Sequence, residues 1–231
     1  MDASELFSRW TATCQEIQAA AAACGRSADD VTLIAVSKFH PLEAITALAA
    51  RGQIDFGENY LQEAQEKIAG CQQNVRWHFI GHLQSKKASA TAGNFALIHG
   101  VDSVKLAQRL HSKSEELGLR QRILVQVNVA KEEQKSGISE EELPGFLEQL
   151  LEFSALQVDG LMLMPPIQPE PEKSRPFFAR LRELKEENEH RFHISLPHLS
   201  MGMTSDFAVA IAEGATLIRI GTRIFGPRPV L

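Results

Sequence analysis

The sequence predicts an α/β fold, a single (β/α)8 TIM barrel over residues 1–231 that carries an extra N-terminal helix. Three observations predict it. Eight short runs rich in β-forming residues are spread along the chain. Segments of helical periodicity separate them. The runs are near-continuously apolar, as strands are when both faces of a sheet are covered. An open doubly wound sheet fits the same count, because counting strands cannot show closure.

The elements follow in order. Residues 4–23 read as a helix: Phe7, Trp10, Cys14, Ile17 and Ala21 recur at helical spacing, and Cys24-Gly25 ends it with a residue suited to a left-handed cap. The first strand is 32–38, Thr-Leu-Ile-Ala-Val-Ser-Lys. Pro41 opens the next helix, since proline is tolerated in a first turn. Further strands are expected at 54–57, 76–80, 95–99, 123–129, 158–164, 196–201 and 216–220. Helical patterns occupy 103–117, 139–153, 174–189 and 205–213.

The composition narrows the function classes. The chain is 44% hydrophobic and 23% charged, ordinary for a globular protein, and its formal charge is −5. No basic stripe marks a nucleic-acid face. The three cysteines, Cys14, Cys24 and Cys71, are odd in number and share no C-x-x-C spacing, so a disulfide framework and a zinc knuckle are not expected. Free thiols fit a reducing compartment. The start MDASELFSRW carries acids and no apolar core, unlike a secretory signal. No apolar run approaches the roughly 20 residues of a membrane helix. A cytoplasmic protein is expected. His78 and His82 lie four apart at a strand end without an intervening carboxylate, so no metal site is expected. No G-x-S-x-G elbow, P-loop or G-x-G-x-x-G occurs.

In a barrel of this kind the chemistry sits where strands end at their C-terminal side. Lys38 ends the first strand. A lysine drawn into the barrel mouth is partly desolvated, which favours the neutral amine that condenses with an aldehyde; a surface lysine capping the strand fits the same local sequence. Residues 200–206, Ser-Met-Gly-Met-Thr-Ser-Asp, lead from strand seven into a helix, and Gly221-Thr222 follow strand eight. The loops after strands seven and eight are the usual phosphate site of the fold. Thr204, Ser205 and Asp206 also fit as helix caps. Arg219 interrupts the apolar run Leu217-Ile218-Arg219-Ile220, where a charge is costly unless partnered. It either pairs with a core carboxylate, such as Asp55, Asp102 or Glu58, or addresses a ligand.

Several segments together resemble a known family. They are LIAVSK at 33–38 with Pro41, FGENYLQEAQEK at 56–67, WHFIGHLQSKK at 77–87, KSGI at 135–138, GLM at 160–162, LSMGMTSDF at 199–207 and RIGTRIFGPR at 219–228. In this order they resemble the pyridoxal phosphate homeostasis proteins over nearly the whole chain. The resemblance implies a barrel similar to the N-terminal domain of alanine racemase. It implies pyridoxal 5′-phosphate (PLP) as cofactor, held as a Schiff base on Lys38. Asn59, Ser200, Gly202, Gly221 and Thr222 would line the cofactor, the last four around the phosphate, and Arg219 would face the pyridine nitrogen. Lys135 matches a lysine implicated in secondary cofactor binding or transfer. Lys86 departs from the family, which has asparagine there. The chain also lacks the lysine-rich tail of some relatives, ending Arg228-Pro229-Val230-Leu231.

Arginine stays protonated and only donates, so a ring nitrogen facing Arg219 must accept and cannot carry its own proton. Such a ring is a weak electron sink. Racemisation needs an acid/base group on each face, and Lys38 supplies one. In alanine racemase a tyrosine from an additional domain supplies the other, whereas here Tyr60 is the sole tyrosine. The expected function is therefore a non-catalytic carrier that buffers PLP and delivers it to apo PLP-dependent enzymes, and the resemblance implies a monomer. The alternatives are a PLP-dependent amino-acid racemase using Tyr60, His78 or water, and a barrel for some other phosphorylated metabolite.

Overall fold

A computed structural model describes residues 2–132 and 136–227. The chain opens with α1 (Ala3–Ala23) and then alternates. The order is β1 (Thr32–Val36), α2 (Leu42–Ala49), β2 (Asp55–Glu58), α3 (Leu61–Gly70), β3 (Arg76–Phe79), a 3-10 stretch (Ser85–Ala90), β4 (Leu97–Val101) and α4 (Val104–Glu116). The second half runs β5 (Gln121–Gln126), α5 (Leu143–Leu151), β6 (Leu156–Met162), α6 (Arg175–Phe192), β7 (His198–Ser200), α7 (Phe207–Ala212), β8 (Leu217–Ile220) and α8 (Thr222–Phe225). Every strand pairs in parallel with the next, and β8 returns to β1 with Ile34 opposite Arg219. That pairing closes the barrel and removes the open-sheet alternative.

All eight expected strands form, with shifted ends. The run 95–99 becomes Leu97–Val101. Phe95 leaves the ladder to meet Phe79 edge-on at 5.3 Å on the outer side, while the Ala96 amide donates to the Trp77 carbonyl. The run 123–129 starts two residues early, where the Gln121 amide donates to the Ala155 carbonyl. Pro41 sits at the N-cap of α2, just before its first turn. The buried stripe of α1 is Leu6, Thr13, Ile17 and Ala21, with Phe7, Trp10 and Cys14 only partly covered.

Alternation along the strands separates two cores. Outward residues such as Ala35, Phe56, Phe79, Ile98 and Ile218 join the helices in the large core. Inward lie Ile34, Leu97, Leu124, Met162 and Leu217, a smaller apolar cluster. The inward face also holds buried Asp55, His78, His99, Ser200 and Arg219. Reading the strands as apolar on both faces missed this polar interior.

Between β5 and β6 the register slips, with Ile123 opposite Val158 but Leu124 opposite Gly160. Gly160 has φ +152°, and a Cβ there would lie 1.9 Å from the His198 carbonyl oxygen, so the bulge requires glycine. The bulge turns Asp159 onto Arg122. At the seam, α1 packs on α7 and α8, and Arg26 donates to the Ile211 and Ala215 carbonyls at 2.8 Å each. Among the described residues, no helix is long and apolar enough to cross a membrane.

Candidate functional site

The sequence-derived residues gather at the C-terminal ends of the strands. Lys38 stands two residues beyond β1, half-buried, with the parity of inward Ile34 and Val36. Its loop is fixed from behind by a buried ion cluster. The Lys67 ammonium donates to Glu58 and Glu63 at 2.7 Å each and to the Ser37 carbonyl at 2.8 Å. The Ser37 hydroxyl donates to Glu58 at 2.6 Å, and the Phe39 amide donates to Glu63 at 2.5 Å. The residues on both sides of Lys38 are thereby held. Phe39 adopts φ +67°, a left-handed conformation that costs a non-glycine residue about 1 kcal/mol or more and persists only where its surroundings impose it. Burial pushes the Glu58 carboxyl above its ordinary value, against the pull of Lys67. His40 stacks on Phe225 at 4.8 Å and ties this loop to α8. Burial, then Lys67, lowers its pKa.

Asn59 follows β2. Its Oδ1 is buried and has no hydrogen-bond partner. A Cβ at Gly81 would lie 2.3 Å from the Asn59 carbonyl oxygen, so glycine at the end of β3 lets the two chains touch there.

Arg219 lies inward on β8 at 4% exposure. It donates to the Ser200 hydroxyl at 2.5 Å and to the Leu163 carbonyl at 3.0 Å. No carboxylate among the described residues lies within 4 Å of it. Asp55 is taken by Arg76 and His78, Asp102 faces His82, and Glu58 holds Lys67. Burial depresses the guanidinium pKa from its ordinary value to about 10, with distant Asp206 opposing. A buried cation without a counter-ion is costly, and this one keeps donors to spare for a ligand that accepts.

Ser200 ends β7 fully buried, with its hydroxyl engaged by His99 at 2.8 Å and by Arg219. Its hydroxyl thereby links Arg219 to His99. Gly202 has φ +92°, and a Cβ there would meet the Ala210 side chain at 2.6 Å. Asp206 accepts from the Met203 amide at 2.7 Å and folds the turn between them. Gly221 lies against Val36, and Thr222 opens α8, exposed. Tyr60 is 50% exposed, its ring 5.1 Å from Phe39, and both ring nitrogens of His78 are engaged within the barrel. Lys86 is exposed on the 3-10 stretch, and Lys135 lies outside the described residues.

The residues present fit PLP. Lys38 offers an amine on a braced loop, Arg219 offers donors without a carboxylate partner, and Asn59 offers a side-chain amide whose buried oxygen lacks a donor. The cluster Glu58–Glu63–Lys67 was not expected as part of the site. Its one visible sign was the helical i,i+4 spacing of Glu63 and Lys67.

Comparison with known proteins identifies the family. Residues 13–229 match the family "Alanine racemase, N-terminal domain". A pyridoxal phosphate homeostasis protein of Aquifex aeolicus is 40% identical over 229 residues, 99% of each chain. That of Pseudomonas aeruginosa is 44% identical over 214 residues, 92% of this chain and 91% of the other. The structure of PipY of Synechococcus elongatus, solved with PLP bound, superposes with a TM-score of 0.80 at 40% identity, covering 85% of this chain and 93% of PipY. An alanine racemase of Clostridium difficile shares the fold alone, at TM-score 0.72 and 13% identity over 94% of this chain and 57% of its own. With its closed barrel and near full-length matches, the chain belongs to the alanine racemase N-terminal domain family, among the pyridoxal phosphate homeostasis proteins.

Proposed function

We propose that this protein binds PLP as a Schiff base on Lys38, buffers it, and delivers it to apo PLP-dependent enzymes as a monomeric cytoplasmic carrier. The observation that carries the reading is Arg219, a buried cation with unused donors and no counter-ion inside a barrel whose mouth holds Lys38. The homologous PipY, solved with PLP bound, supports the cofactor. When bound, the group supplies an aldehyde carbon and a ring able to withdraw electrons. Arg219 donates toward the ring nitrogen and keeps it unprotonated, which weakens that withdrawal. Asn59 donates its side-chain amide to the cofactor's phenolic oxygen. The turns at Gly202 and Gly221-Thr222 receive the phosphate with backbone amides. Among the described residues, neither candidate stands ready as a second acid/base group for racemisation: His78 has both nitrogens committed and Tyr60 lies half-exposed against Phe39.

Incubation with an apo-transaminase tests delivery. The holo-protein is expected to restore transaminase activity. It is expected to show no sustained Cα deuterium exchange with inversion on alanine or other amino acids. Inversion that Tyr60→Phe abolishes would establish a racemase instead.

The phosphate contact has its own expected result. Pyridoxal should bind far more weakly than PLP, and Thr222→Ala should weaken PLP by about 1–3 kcal/mol if its hydroxyl reaches the charged phosphate. Equal affinity for both vitamers, measured by equilibrium titration, would refute a phosphate site.

A further inference from the structure

A hydrogen-bonded chain crosses the barrel interior from one end to the other. At the N-terminal side Arg76, which is largely exposed, holds Asp55 through two bonds of 2.8 and 2.7 Å. Asp55 Oδ1 lies 2.9 Å from His78 Nε2, His78 Nδ1 lies 3.0 Å from His99 Nε2, and His99 Nδ1 lies 2.8 Å from Ser200 Oγ. Ser200 Oγ receives Arg219 Nη1 at 2.5 Å. Asp55, His78, His99, Ser200 and Arg219 are all buried.

The two ends fix the direction of every bond between them. Arg219 only donates, so Ser200 accepts from it. The Ser200 hydrogen then goes to its other partner, His99 Nδ1. His99 is fully buried, and burial together with His78, Arg219 and His198 holds its pKa well below the ordinary value, so it is neutral and carries one hydrogen. That hydrogen is on Nε2 and is donated to His78 Nδ1. The hydrogen of His78 is therefore on Nε2 and is donated to Asp55, which accepts only. Burial alone would raise the Asp55 carboxyl, but bonds from His78 and Arg76 outweigh it and hold it below the ordinary range. The reverse order needs a second cation at His78 and leaves the Ser200 hydrogen without a partner in the chain.

We propose that Asp55, His78, His99 and Ser200 are positioning residues for Arg219, a one-way relay that holds its guanidinium for the cofactor's ring nitrogen. The relay polarises in one sense, so the Asp55 charge reaches Arg219 through three neutral groups. It serves as the counter-ion Arg219 lacks in contact, without a carboxylate beside the ring nitrogen that would draw a proton onto it. The tie to the ring nitrogen rests on the PLP reading; the direction of the relay does not.

Two measurements test it. In the wild-type apo-protein, nitrogen NMR of the imidazoles at neutral pH is expected to show hydrogen on Nε2 and none on Nδ1 for both His78 and His99. A hydrogen on Nδ1 of either ring overturns the relay. In the holo-form, affinity for PLP is compared with affinity for the analogue in which carbon replaces the ring nitrogen. The wild-type preference for PLP should fall about tenfold in Ser200→Ala and return in Ser200→Thr, which keeps the hydroxyl. A preference unchanged in Ser200→Ala overturns the positioning role. A wild-type protein with the expected tautomers that does not bind PLP refutes the cofactor reading and leaves the relay standing.

Discussion

Lys38→Ala should lose the Schiff-base absorption that the wild type gains on incubation with PLP. Borohydride reduction of the wild type should fix the cofactor on the peptide containing Lys38. The proposed contacts through Arg219 and the phosphate turns do not involve Lys38, so weak binding should persist at roughly a hundredfold lower affinity, about 2.8 kcal/mol. Lys38 is suited to the role by its place: half-buried, inward in parity, on a loop held on both sides by Glu58, Glu63 and Lys67. Label on a different lysine, with Lys38→Ala still gaining the full Schiff-base absorption, would defeat the assignment. A faint residual absorption from Lys135 would not.

Lys67→Met should be the most destabilising single change at the site. It removes the cation between Glu58 and Glu63 and leaves the fully buried Glu58 with the neutral Ser37 hydroxyl in place of a counter-charge. Breaking one partner of a buried ion pair costs about 3–5 kcal/mol. Urea unfolding at neutral pH should report a loss of that order. The pH dependence has a definite sign. The Glu58 pKa is raised in the folded state, so its contribution is favourable at low pH and is lost as the pH rises through the raised value. Without Lys67 the rise is larger, so the deficit of Lys67→Met should shrink on acidification from neutral pH. Adding Glu58→Gln should recover much of it. A deficit that grows on acidification would show that Glu58 is not the group left exposed to the loss.

The strands and most helices were legible because their signals are local. Apolar runs and helical periodicity place β1 through β8 within a few residues. Closure was not legible: Ile34 opposite Arg219 joins residues from the two ends of the alternation, and no local pattern encodes it. Arg219 could be singled out because a charge stands out in an apolar run. Ser200 and His78 were also named, but not their contacts, since whether His78, His99 and Ser200 touch depends on register across strands far apart in sequence. The expected carboxylate partners of Arg219 were plausible by charge alone, yet each is occupied elsewhere. The brace behind Lys38 was hidden for another reason. Glu63 and Lys67 have the spacing of an ordinary exposed helix pair, and only the docking of α3 buries the lysine.

The contact of α1 with α7 and α8 has a consequence for the growing chain. Arg26 and the Ile211 carbonyl it binds are 185 residues apart. At roughly 5–20 residues per second, α1 waits about 10–40 s on the ribosome before its partners emerge. During that interval Leu6, Ile17 and Ala21, buried in the finished protein, lack the surface that covers them. The last strand and its two flanking helices thus act as a latch. The barrel reaches its final state only after β8 and α8 have emerged, and the first helix needs shielding from aggregation until then.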